Sequence, residues 1–191
     1  MATTEPIRDK RQARELADYY LRKGQLRNYT LIVMGVHTAL RISDLLRLRW
    51  DDVYDFDQRR VRKSINITEK KTKKSKTIEL NDRIITALTI YAPSAASKGA
   101  FIIENPKTRK AISRIQAYRI IRDAGEAIKL SQRVSCHSLR KTFGYFAWKS
   151  GVSPAIIMEI YNHSSLAVTR RYLGVTQDDK NSVYRNMALL A

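Results

Sequence analysis

Cysteine occurs once in the 191 residues, as Cys136, so no internal disulfide can form. With only three scattered histidines beside it, the chain offers no metal-ligand set of recognisable spacing. Neither a P-loop nor a dinucleotide fingerprint is present, which argues against NTP-driven chemistry, and no cofactor is expected. No apolar run is long enough to span a bilayer, and no signal-peptide pattern follows Met1. The expectation is a soluble, cytoplasmic protein without metal, cofactor or membrane partner.

Acidic residues are also scarce. Eighteen Asp and Glu face thirty-six Lys and Arg, a formal net charge of +18, which is far beyond what solubility needs. The excess is not spread evenly. Residues 58–76 hold nine basic residues and one acid, and residues 105–149 hold eleven basic residues and two acids. Two concentrated blocks fit an electrostatic footprint for a phosphate backbone better than a merely solvated surface, and neither block has the bulky apolar face of an interfacial helix. The expected partner is nucleic acid.

The hydrophobic pattern predicts a mainly α fold with a small antiparallel β-sheet (α+β). Residues 8–23 have helical spacing and end at Gly24, while residues 29–40 are apolar nearly all round and predict a helix through the core. Alternation at Val61, Ile65 and Ile67, then at Ile78 and Leu80, predicts two antiparallel strands joined by the basic turn EKKTKKSK, with Val53, Tyr54 and Phe56 as a short third strand. A loop is expected around residues 93–99. Residues 111–130 place Ala117, Ile120, Ile121, Ala124, Ala127 and Ile128 on one arc and Arg114, Tyr118, Arg119, Arg122 and Lys129 on the other, a basic face suited to a DNA groove or backbone. Four further helices are expected over about 137–150, 153–161, 165–172 and from 177 onward.

Several polar residues lie where apolar neighbours dominate: Arg41 after the core helix, His137 to Arg140 in HSLR, and Asn162 to Ser165 in NHSS, followed by Tyr172. Each has a plain explanation alone. Arg41 could pair with Asp44, His37 reads as a core histidine without function, and a single His137 or His163 is more often structural than catalytic. Their joint occurrence at these intervals changes the odds. TALRISDLLRLRWDDV resembles the first arginine box of the tyrosine recombinase, or phage integrase, family. HSLRKTF resembles its His-x-x-Arg box, and NHSSLAVTRRYLGV resembles its final box, whose tyrosine lies nine residues after the histidine, as Tyr172 lies after His163.

The resemblance covers nearly the whole chain and implies a tyrosine recombinase catalytic-domain fold and a site-specific recombinase or integrase. In that reading Arg41 and Arg140 bind the scissile phosphate, and Tyr172 attacks it to leave a 3′-phosphotyrosyl intermediate. Lys71 protonates the leaving 5′ oxygen, though Lys70, Lys73, Lys74 and Lys76 crowd the same turn. His137 assists proton transfer with Tyr172, and His163 hydrogen-bonds the phosphate. Arg60, Arg62, Lys73, Lys74, Lys76, Arg114, Arg119, Arg122 and Lys141 are the further DNA-binding candidates. Asn162 stands where the family usually has glycine before the histidine; asparagine tolerates left-handed backbone, so the turn is expected to survive.

The expected organisation is one catalytic domain over residues 1–191 with no separate N-terminal core-binding domain. Residues 1–7 would be a flexible tail, and residues 177–191 a C-terminal helix open to exchange between subunits. The apolar stripe Val183, Met187 and Leu190 would dock on a neighbour in a dimer or tetramer on double-stranded DNA, or fold back on its own core. Two competing functions remain at this level: a non-catalytic DNA-binding regulator derived from a recombinase, and a type IB-like topoisomerase.

Overall fold

Residues 4–187 are described by the computed structural model. The Asp9 side chain accepts from the Arg11 N–H at 2.7 Å and starts α1 (Lys10–Arg22), which turns Leu16, Ala17 and Tyr20 inward. Helix α2 (Leu26–His37) is buried over most of its surface, as its all-round apolar sequence predicts. Two single-turn helices follow, α3 (Ile42–Leu45) and α4 (Trp50–Val53). The β region then forms two separate antiparallel pairs: β1 (Tyr54–Asp55) with β2 (Arg60–Val61), and β3 (Ser64–Thr68) with β4 (Ser75–Glu79).

The predicted strand through residues 61–67 is thus broken at Arg62 and Lys63. The Arg62 N–H turns to the Val53 carbonyl and the Lys63 carbonyl receives the Leu80 N–H, each at 2.8 Å, so both residues bond outside the ladders. Val53 closes α4 and Phe56 lies in a turn, so only Tyr54 of the expected third strand is in a strand.

Helix α5 (Asp82–Ala95) was not read from the sequence. Asn81 caps it, and Ile84, Ala87, Leu88 and Ala92 supply a regular inward face. Pro93 in its last turn made this stretch look like the start of the loop. Helices α6 (Arg114–Ala127), α7 (Cys136–Lys149), α8 (Pro154–Tyr161), α9 (Leu166–Leu173) and α10 (Gln177–Asn186) complete the chain close to the predicted boundaries. Ala127, placed on the apolar arc of α6, is exposed at that helix's end.

The larger hydrophobic core joins α1, α2, α5 and α6 to the β pairs, and a smaller one gathers Ala39, Ile157, Tyr161 and Leu173. Helix α7 touches both: Leu139 lies in the first, while Phe143, Ala147 and Trp148 pack on the second. Two glycines permit the close helix approaches this requires. A Cβ on Gly35 would sit 2.6 Å from Leu139 Cδ1, where α2 meets α7, and one on Gly144 would collide with the Tyr161 hydroxyl. The segment leaving α2 and the helix carrying Arg140 are thereby held together.

The expected flexible tail is corrected from Pro6 onward. Pro6 and Ile7 are buried, and the Ile7 N–H donates to Thr142 Oγ1 at 2.9 Å, two residues beyond Arg140. Apolar burial and a satisfied backbone donor pin this segment to α7. Ile7→Ala should therefore destabilise the fold by about 2–4 kcal/mol in urea unfolding, as for other buried large-to-small changes. Unchanged stability would mean that the segment is not docked in solution.

Candidate active site

The segment between α2 and α3, which ends in Arg41, and the second turn of α7 deliver two arginines to the end of α8. Arg140 is 2% exposed and stacks on the Tyr161 ring at 4.3 Å. Its Nη2 donates to the Tyr161 carbonyl at 2.8 Å and its Nη1 to the Ala39 carbonyl, while the Tyr161 hydroxyl returns a bond to the Arg140 carbonyl at 2.6 Å. Arg41 reaches the same Tyr161 carbonyl through Nη2 at 3.4 Å and Glu69 Oε2 through Nη1 at 2.6 Å. Lys76 Nζ takes the neighbouring Ile160 carbonyl at 3.0 Å and Glu69 Oε1 at 3.0 Å. Three cations therefore meet at the carbonyl end of one helix, where the helix dipole is negative.

Asn162 makes the turn that follows α8. It adopts φ 51° and ψ 45°, the left-handed conformation, and the His163 N–H reaches back to the Met158 carbonyl at 3.0 Å. His163 consequently lies against Tyr161 and Tyr172, at ring-centroid distances of 4.9 and 4.7 Å. Its Nδ1 is 3.1 Å from Thr169 Oγ1 on α9. The Thr169 hydroxyl also lies 3.4 Å from the Ser165 carbonyl; donated instead to Nδ1 over the shorter contact, its proton leaves the neutral ring with Nε2–H to offer to an anion. Burial, then the charges of Arg140 and Arg41, push the His163 pKa down to about 4.

Tyr172 is on the last turn of α9, half-buried, with its ring 5.4 Å from that of Tyr161. The Arg140 guanidinium carbon is 6.0 Å and Lys141 Nζ 5.8 Å from its centroid. His137 is one helical turn before Arg140 on α7. Burial and the charges of Arg140, Arg114, Lys141 and Arg41 lower its pKa, so it belongs to the same positive field. Lys71 is exposed on the β3–β4 turn, and its charge reaches His163.

Arg41, Arg140, His163 and Tyr172 are thus in one cluster, with His137 and Lys71 on its edge. Each arginine commits only two of its five N–H donors to the bonds just named, and Arg140 Nε has no partner among the described residues. Such a site can hold a phosphodiester on several donors with a phenol beside it.

One DNA-binding candidate is corrected, and the plain alternative for Arg41 is not what the structure holds. Lys76 is not an outward DNA contact: its side chain is 15% exposed and bound to Glu69 and Ile160. Arg41 does not pair with Asp44, whose Oδ1 instead accepts the Lys70 N–H at 2.9 Å. Among the other candidates, Lys73, Lys74, Arg60, Arg62, Arg114 and Arg119 are exposed. Arg60 lies opposite Asp55 in the β1–β2 pair, and Arg122 is partly neutralised by Asp123 at 2.8 Å and Glu126 at 3.5 Å. Lys141 is half-buried beside Tyr172.

The residue that sequence reasoning missed is Glu69. It is fully buried and receives Arg41, Lys76 and the Thr72 hydroxyl, the last at 2.8 Å. Burial by itself would raise its pKa, but hydrogen bonds from Lys76 and Thr72 prevail and hold the carboxyl down at about 2. The available signal was its isolation, as the single acid among nine cations in residues 58–76. Among the described residues, no group of three or more His, Cys, Asp or Glu gathers as a metal site, and no helix is long and apolar enough to cross a membrane.

A histidine whose folded pKa lies below its unfolded value takes up its proton more readily when unfolded, so stability is lost as pH falls from about 6.5 through about 4. His37 and His137 shift in the same direction, so replacing His163 should flatten this loss without abolishing it. Thermal melts of the wild type and His163→Gln across that window should show the steeper decline in the wild type. Parallel curves would contradict the burial of His163.

The chain and its fold are similar to known proteins. The Probable integrase/recombinase YoeC of Bacillus subtilis (strain 168) is 36% identical over 185 residues, covering 97% of both chains. Tyrosine recombinase XerA of Pyrococcus furiosus is 26% identical over 156 residues; the match covers 81% of this chain but only 52% of XerA, about half the length of that relative. The fold superimposes on a crystal structure of XerA recombinase with a TM-score of 0.76 at 22% identity, over 96% of this chain and 65% of that one. A lambda integrase dimer bound to a COC′ core site gives 0.68 at 17% identity, over 94% and 49%. The phage integrase family matches residues 8–179, and this chain belongs to that family.

Proposed function

We propose that this protein is a site-specific DNA recombinase or integrase that cuts and rejoins double-stranded DNA through a 3′-phosphotyrosyl intermediate. The observation that carries the reading is the position of Tyr172 beside His163 and the donor-rich end of Arg140. Arg41 and Arg140 bind the two non-bridging oxygens, and Nε2 of His163 adds a further donor. The Tyr172 hydroxyl attacks phosphorus as the bond to O5′ breaks; His137 assists removal of the phenolic proton, and Lys71 protonates O5′. Because the phosphoester is kept as a tyrosyl ester, a new 5′ hydroxyl can displace Tyr172 without ATP.

Association on DNA as a dimer or tetramer is supported by α10. Val183 and Met187 are more than half exposed and no described residue of that helix is buried, so they do not pack back on their own core; Leu190 lies outside the described residues. Several of the structural relatives are complexes with DNA, one of them a dimer. Acting on DNA, the protein would work in the cytoplasm at the nucleoid.

Two outcomes follow. Tyr172→Phe should bind DNA normally yet form no covalent adduct with DNA sites recovered by trapping the wild type; an adduct of unchanged yield would overturn the assignment. Six phosphate contacts should cost roughly 10³ in affinity between 50 and 200 mM salt, and a nearly flat salt dependence would contradict a phosphate-dominated interface. Strand exchange between two sites is the expected activity. Supercoil relaxation without exchange would favour a topoisomerase, and DNA binding without cleavage would favour a regulator.

A further inference from the structure

The turn that carries Lys71 is tied down on both sides of that residue. Just before it, the Lys70 N–H donates to buried Asp44 on α3 at 2.9 Å. Just after it, the Thr72 hydroxyl donates to Glu69 Oε2 at 2.8 Å. The loop itself is closed by the Glu69 N–H on the Lys74 carbonyl and the Lys73 N–H on the Glu69 carbonyl, both at 3.0 Å, with Lys73 in the left-handed region at φ 58°. Glu69 in turn is fixed by Arg41 and Lys76, and Lys76 is fixed to the end of α8. Lys70, Lys71, Lys73 and Lys74 all keep exposed side chains on this turn, and Lys71 is the one between the Asp44-bound Lys70 N–H and the Glu69-bound Thr72 hydroxyl.

We infer that Glu69 is a positioning residue for leaving-group protonation: its buried carboxylate locks the β3–β4 turn to the phosphate-binding Arg41 and so aims Lys71 at the scissile O5′. This deepens the proposed function and rests on Lys71 as the general acid. In the cleavage step the Tyr172 Oη–P bond forms, the P–O5′ bond breaks, and the Lys71 ammonium gives one proton to O5′, leaving a neutral amine that regains its proton from water. A carboxylate shared by the arginine and the turn fixes the distance between the phosphate seat and the acid. A displacement of about 1 Å at such a site can cost on the order of 10² in rate.

A merely structural ion pair would slow every substrate alike, so the test compares two leaving groups. On a recovered DNA site, single-turnover cleavage is measured with the normal phosphodiester and with a bridging sulfur in place of O5′, which departs as a thiolate without needing a proton. The readout is the sulfur-to-oxygen rate ratio relative to wild type. Lys71→Ala should raise it by about 10² or more, the size of a general-acid contribution. Glu69→Gln should raise it by about tenfold or more, because the lost alignment matters only for the oxygen leaving group. Thr72→Val removes the side-chain link between the Glu69 carboxylate and the turn, with the longer Lys74 N–H bond to the same hydroxyl at 3.4 Å, and leaves the Glu69 backbone bonds in place; it should raise the ratio in the same direction, and it decides the matter if Glu69→Gln does not fold.

Should the ratio stay at the wild-type value in the Glu69 and Thr72 variants while it rises in Lys71→Ala, the positioning role is overturned and the proposed chemistry stands. A ratio unmoved by Lys71→Ala removes Lys71 as the acid, and the inference with it.

Discussion

Like charges brought out of water repel one another, and the site depends on how that repulsion is contained. Arg41, Arg140 and Lys76 converge within hydrogen-bond reach of two consecutive carbonyls, those of Ile160 and Tyr161. Burial and Arg41 both disfavour the charged form of Arg140. The containment comes from the negative end of α8, the face of Tyr161 and one buried carboxylate, Glu69. One acid among three cations leaves the cluster positive, and in the proposed function a phosphodiester supplies the missing anion.

The rest of the fold can be understood as scaffolding for that convergence. Gly35 lets α2 lie against Leu139, which brings the segment leading to Arg41 alongside α7. Gly144 admits Tyr161, whose hydroxyl and carbonyl both bind Arg140. Asn162 takes the left-handed turn that ends α8 and directs His163 toward Tyr172. Pro6 and Ile7 fasten the N-terminal segment to α7 and to the end of α9, where a Cβ on Gly174 would approach Pro6 Cγ at 3.0 Å.

Much of this was legible in the sequence because helices announce themselves locally. The all-apolar α2, the Ser-Pro start of α8 and the nine-residue interval from His163 to Tyr172 required no knowledge of tertiary contacts. The left-handed backbone at Asn162 was likewise a property of one residue type. What escaped depends on partners distant in the chain. Glu69 meets Arg41 from 28 positions away, and nothing in a basic turn says which lysine will fold inward; Lys76 does and Lys71 does not. The strand pattern failed at Arg62 and Lys63 because alternation does not reveal where the ladder changes partner. Helix α5 was hidden by the proline in its final turn.

The proposed chemistry requires that Arg41 and Arg140 seat one phosphorus in front of Tyr172. The most direct measurement is to digest a trapped protein–DNA complex with protease and nuclease and to locate the nucleotide-bearing residue by mass spectrometry. The expected product is a nucleotide joined through its 3′ phosphate to Tyr172 and a free 5′ hydroxyl on the other DNA end. A linkage to another residue, or through a 5′ phosphate, would contradict it.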